Sequence, residues 1–143
     1  MIYRISSKVE RICAKLQGKG WASTIDQEIS RLAKFADDPK LAIDIGGNVG
    51  DYTAQLRARF ENIEVHVFEP SETNYDKLIK RFANDDKVII NKMAVSDHNG
   101  FSELFSNAPG SALASLTKRR LNHHGLEFDV KEKVEIIKFE DYC

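Results

Sequence analysis

Leu41-Ala-Ile-Asp-Ile-Gly-Gly-Asn-Val-Gly-Asp51 decides how this chain is read. Its apolar run is broken by Asp44, and small or amide residues follow at Gly46, Gly47, Asn48 and Gly50. The pattern predicts a buried strand entering a tight turn whose backbone lies flat against a ligand. Glycine takes positive φ freely and lets a ligand touch the main chain. A helix starting near Gly50 aims its first N–H groups at whatever occupies the turn. The next strand, Val65-His-Val-Phe-Glu-Pro70, also ends in an acid, Glu69. Turn and acid together read as the front half of a nucleoside-cofactor site.

Working outward, the pattern alternates. Strand 41–45 leads to a helix over about 50–60, with Val49, Thr53, Leu56 and Phe60 facing inward. Strand 64–69 leads to a helix over about 72–83, capped by Ser71 and carrying a stripe of Tyr75, Leu78, Ile79 and Phe82. Strand 87–91 follows. This succession is the signature of parallel α/β winding with right-handed crossovers. Asn99-Gly100 is a hairpin signal linking residues around 92–96 to Phe101-Ser-Glu-Leu-Phe105. Residues 106–116 are rich in small side chains and read as a loop, and residues 130–139 alternate like a partly exposed strand.

Upstream, residues 3–17 place Ile5, Val9, Ile12, Cys13 and Leu16 on one helical stripe that Gly18 and Gly20 end. Ser23 and Thr24 are cap candidates for a second helix, and Thr24-x-x-Gln27 fits a capping box. Ile25, Ile29, Leu32, Ala33 and Ala36 repeat the spacing until Asp37-Asp38-Pro39 stops it. Residues 1–40 therefore read as a helical cover beside the sheet of residues 41–143.

With 143 residues the chain is one domain with room for a core. A formal net charge of −1 with interspersed signs argues against bulk nucleic-acid or anionic-membrane binding. Lys118-Arg119-Arg120 reads as a solvated helix end. Cys13 and Cys143 lack metal-ligand spacing and form no disulfide framework, which fits a reducing compartment. The charged first twenty residues contain no signal-peptide core, and no apolar run suits a bilayer span. A cytoplasmic location is expected.

Which cofactor fits? The dinucleotide fingerprint is Gly-x-Gly-x-x-Gly. Here Asn48 stands where its second glycine belongs and Asp51 where its third does. An acid beside a pyrophosphate argues against a dinucleotide but not against S-adenosyl-L-methionine. Asp44 would hold the methionine ammonium, the loop backbone would line the methionine portion, and Glu69 would accept the ribose hydroxyls. Hydrogen bonds to a charged group contribute about 1.5–3 kcal/mol each, which would make Glu69 a main affinity determinant.

Asp44-x-Gly46-x-Asn48-x-Gly50, then Phe68-Glu69-Pro70, then Asn91-x-x-Ala94-Val-Ser-Asp97 followed by Gly100, resembles the FkbM-type S-adenosylmethionine-dependent methyltransferases. Gly110-Ser-Ala-Leu-Ala-Ser-Leu116 and Phe139-Glu-Asp-Tyr142 resemble the same family's later segments, so the likeness runs from about Leu41 onward. It implies a Rossmann-like class I methyltransferase fold and O-methylation of a sugar or small-metabolite hydroxyl. It implies cofactor roles for Asp44, Gly46, Gly47, Asn48, Gly50 and Glu69, a contact from Ser71 beside the ribose, and an adenine border at 94–97 that includes Ala94. Gly47 is commonly alanine in such loops. No metal and no catalytic base is assigned.

The implied fold needs a fourth strand against the first, followed by a second half of the sheet. The resemblance thus predicts that 41–143 is a partial domain, a fragment of a longer enzyme, with Leu41, Ile43 and Ile45 under-covered along an open strand edge. Two rivals stand beside the methyltransferase: a non-catalytic remnant or scaffold retaining half a cofactor site, and a dinucleotide-binding oxidoreductase. Asp44 also reads as a turn former or helix cap, and Glu69-Pro70 as a plain strand end. His66 reads as structural. His98 and His123-His124 read as surface, and Ser111 and Ser115 read as loop residues or acceptor contacts.

Overall fold

A computed structural model of the protein describes residues 24–119, 125 and 127–143. The helix expected over 3–17, Cys13, Gly18, Gly20, Ser23, Arg120 and the His123-His124 pair lie outside the described residues.

Helix α1 spans Ile25–Leu32 and starts with the capping box foreseen at Thr24 and Gln27, both reciprocal bonds being present. Strand β1 (Leu41–Ile45), helix α2 (Asp51–Arg59), strand β2 (Glu64–Phe68), helix α3 (Glu72–Arg81) and strand β3 (Val88–Asn91) follow in order. The three strands form one parallel sheet in the order β1-β2-β3. Ala42, Val65 and Val88 share one face with Asp44, Val67 and Ile90. Against this face Ile29 of α1, Leu56 of α2 and Leu78 of α3 close a core that includes Phe60, Ile63, Val65 and Val67. All three helices thus cover the same side.

The other face carries Leu41, Ile43 and Ile45, Glu64, His66 and Phe68, and Ile89 and Asn91. A parallel sheet normally has both faces covered. Here Phe68 is fully buried, yet Leu41 is 56% exposed, Ile45 58% and Ile89 39%. Among the described residues β1 pairs with β2 alone, and of the three side chains expected to be under-covered along that edge Leu41 and Ile45 are exposed while Ile43 is half-buried.

Strands β4 (Ala94–Ser96), β5 (Gly100–Ser106) and β6 (Val130–Lys138) form a second sheet, and α4 (Phe139–Tyr142) follows β6. The expected Asn99-Gly100 hairpin does not form. The order is β4-β6-β5, with β6 parallel to β4 and antiparallel to β5. Ala94 and Gly100 both pair with Ile136, on its two sides. The Asn99-Gly100 corner therefore spans two strand spacings instead of one. Asn99 is used to tie that corner to β6, its Oδ1 accepting from Lys138 N and its Nδ2 donating to Asp141. Ala94, Leu104, Val134 and Ile136 make the second core. Lys118 and Arg119, expected at a helix end, lie in irregular chain, and Lys118 pairs with Asp129.

The two sheets meet through α4 and β6. Phe139 and Tyr142 pack edge-on against Phe68, at 6.4 and 4.7 Å between ring centroids. Asn91 Nδ2 donates to Tyr142 Oη at 3.1 Å, and that hydroxyl lies 2.7 Å from His66 Nδ1. His66 Nε2 faces Glu64 at 2.8 Å. In the tautomer that donates Nε2–H to Glu64, Nδ1 accepts from the tyrosine. His66 is thereby engaged on both sides, as its structural reading anticipated. Among the described residues no helix is long and apolar enough to cross a membrane.

Candidate functional site

The turn after β1 is built by three left-handed residues. Gly46 has φ +81°, Asn48 +50° and Gly50 +83°. These angles cost glycine little, and asparagine tolerates them better than most residues. The N–H groups of Gly46 and Gly47 both donate to Phe68 O, at 2.8 and 3.1 Å, which folds the turn over the end of β2. Gly50 N closes back on Gly47 O at 2.8 Å.

The glycines have different jobs. A Cβ on Gly47 would lie 2.2 Å from Val67 Cγ1, and one on Gly50 would lie 2.6 Å from Phe82 Cε2 and 2.8 Å from Leu78 Cδ2. Those two let the turn press against β2 and α3. A Cβ on Gly46 meets nothing within 4 Å. Gly46 is thus the glycine on the open side, where a ligand can lie on the backbone. The resemblance treats position 47 as one where alanine is usual, but Val67 leaves no room for it here.

Glu69 follows β2 and is 5% exposed. Its two oxygens accept from Ser71 N at 2.9 Å and from Asn48 N at 2.8 Å. Burial raises its pKa above the ordinary carboxylate value, against the lowering effect of the two N–H donors, and the charges of Glu132 and Asp44 raise it further. Each oxygen keeps a second lone pair for a hydroxyl donor. Ser71 is 2% exposed and caps α3 without a side-chain bond. Its role is carried by the backbone N–H that holds Glu69.

Asp44 Oδ2 accepts from Thr53 Oγ1 at 2.6 Å, joining β1 to the first turn of α2. Tyr52 stands next to Thr53; burial first, then the charges of Glu28 and Asp44, push its phenol pKa up. Asp44, Glu69 and Glu132 therefore leave a negative field behind the turn. Asp51, the acid counted against a pyrophosphate, is paired with Arg81 at 2.7 Å, and Arg81 also donates to Val49 O. That pairing weakens the charge argument against a dinucleotide at this position.

The structure brings Asp44, Gly46, Gly47, Asn48, Gly50, Glu69 and Ser71 together at the carboxyl ends of β1 and β2. Ala94 is placed differently, as a core residue of the second sheet, 8% exposed beside Leu104, Val134 and Ile136. Asn74 was not foreseen. Of the stripe expected on α3, Leu78 and Phe82 pack on the core and Tyr75 is half-buried, but Asn74 (2% exposed) faces inward with them and Ile79 is 43% exposed. Asn74 Nδ2 donates to Asn48 Oδ1 at 2.9 Å. The helical spacing Ser71, Asn74, Leu78 carried this signal, but two polar members hid it. No grouping of three or more His, Cys, Asp or Glu among the described residues suits a metal.

No family model, curated protein or solved structure matches this chain.

Proposed function

We propose that this site binds S-adenosyl-L-methionine and serves methyl transfer to a hydroxyl of a sugar or other small metabolite, in the manner of the FkbM-type methyltransferases. One observation carries the reading. Asp44 and Glu69 stand at the carboxyl ends of adjacent parallel strands, on either side of a turn in which a Cβ on Gly46 would meet nothing within 4 Å. Ligands of open α/β sheets bind at such strand ends. A cationic ammonium and sulfonium suit the negative field there, and a phosphate does not. Asp44 keeps an oxygen beyond its Thr53 bond for the ammonium. Glu69 keeps lone pairs for the ribose hydroxyls, and burial strengthens those bonds by excluding water. The bound cofactor supplies an already activated methyl, so the chain's main task is alignment of the two reactants.

A second reading has its own support. Both Glu69 oxygens and Asp44 Oδ2 already hold protein groups, a service that needs no ligand. This favours a scaffold that retains half a cofactor site. A Glu69→Ala change does not separate the two readings, because it also removes the acceptor that holds Asn48 N in the turn. Direct calorimetric titration does. The methyltransferase reading expects S-adenosylhomocysteine to bind and NADH not to compete. Competition by NADH would instead point to a dinucleotide enzyme, and silence from both ligands to the scaffold.

A further inference from the structure

We propose that Asn74 is the positioning residue of the cofactor turn, and that the loop at Gly110 holds it in place. The proposal rests on the adenosyl-ligand reading of the site. Asn48 is the one non-glycine residue of positive φ among the described residues, and its N–H must point at Glu69 for the turn to close. Its own side chain is held by Asn74 Nδ2 at 2.9 Å. Lys77 Nζ donates to Asn74 Oδ1 at 3.4 Å, which fits an amide whose oxygen faces the ammonium and whose NH2 faces Asn48. Asn74 is 2% exposed, so this amide has little water to exchange with.

The same side chain is met from the far side by the loop after β5. Gly110 has φ +69°, and a Cβ there would lie 2.8 Å from Asn74 Oδ1, 2.9 Å from Thr73 Cγ2 and 3.3 Å from Lys77 Nζ. Gly110 is thus a glycine both for its backbone angle and for this close approach. The chain of contact runs from Gly110 to Asn74, then Asn48, then Glu69. The loop after β5 therefore packs close against the side chain that holds Asn48, with no room for a Cβ between them.

The test is a double-mutant cycle on S-adenosylhomocysteine binding, with hydrogen exchange of the Asn48 amide read in parallel. Asn74→Ala should weaken binding about tenfold, the scale of one hydrogen bond, and should speed exchange at Asn48. Asn48→Gly keeps positive φ and removes only the side chain. The double variant should bind no worse than the weaker single one, because both changes remove one bond. A purely structural Asn74 would give additive losses and overturn the proposal. If Asn74→Ala does not fold, Gly110→Ala displaces the same amide and should show the same Asn48 signature; unchanged exchange there would also overturn it. If the wild-type chain binds no adenosyl ligand, the cofactor reading fails by itself, while Asn48 exchange still decides whether Asn74 positions the turn.

Discussion

Replacing Gly47 by alanine tests how the cofactor turn is seated on the sheet. The added Cβ would lie 2.2 Å from Val67 Cγ1, and carbon atoms settle at about 3.5–4.0 Å. The two groups must therefore separate by about 1.3 Å or more. Val67 is fully buried in the middle strand, between β1 and β3, and has nowhere to go. Overpacking of this kind costs about 1–3 kcal/mol. The decisive comparison adds Val67→Ala, which removes the colliding methyl and leaves Val67 Cβ at an ordinary 3.7 Å. Urea unfolding of the two single variants and the double variant should show about 1–2 kcal/mol of compensation. Gly46→Ala is the control. It meets nothing within 4 Å, so its cost is the left-handed backbone alone, about 1–2 kcal/mol, and it should add to Val67→Ala. Strict additivity for Gly47→Ala with Val67→Ala would refute the packing argument and detach the turn from β2.

Three further outcomes follow from the same contacts. Because Glu69 holds its proton more tightly folded than unfolded, its contribution to stability is complete below the ordinary glutamate pKa and is lost as pH rises through its folded value. Glu69→Gln should flatten that part of the stability profile in urea titrations from acid to neutral pH, and an unchanged slope would contradict the assignment. Asp85 has the opposite sign: Arg57, bonded to it at 2.8 Å, holds its pKa below the ordinary value, so the stabilisation exists above the ordinary aspartate pKa and disappears as pH falls through the folded one. Arg57→Ala, which also strips donors from Glu61 O and Ile63 O, should cost about 1.5–3 kcal/mol at neutral pH and less in acid, as denaturant midpoints would show. Tyr142→Phe removes the hydroxyl between Asn91 and His66 but keeps the ring on Phe68, so thermal melting should report a loss of about 0.5–1.5 kcal/mol. A loss as large as that of Tyr142→Ala would mean that the ring contributes nothing.

The elements most legible in the sequence were those whose signal is local. The run at 41–45 became a strand with those ends, the Thr24 box capped its helix, and Thr53, Leu56 and Phe60 face inward on and just beyond α2. The placement of the candidate residues was legible to the same degree: the turn, Asp44 and Glu69 lie together at the strand ends. The inward face of α3 was read at Leu78 and Phe82 but missed Asn74, because apolar spacing cannot report a buried amide that is satisfied by a partner. Asn74 is buried only because Asn48 and Lys77 meet its polar atoms. The Asn-Gly corner was misjudged because a turn signal says that the chain bends, not which strand lies beside it.

By itself the sequence determined the parallel β1-β2-β3 winding, the glycine turn and the acid that follows the second strand. Each is fixed by residues near one another in the chain, through period, φ or cap. Only the tertiary structure decided that β6 lies between β4 and β5, that Ala94 belongs to a core, and that Glu69 clasps the turn through the N–H of Asn48. These depend on which distant segments share hydrogen bonds and buried area, and no local preference encodes that choice.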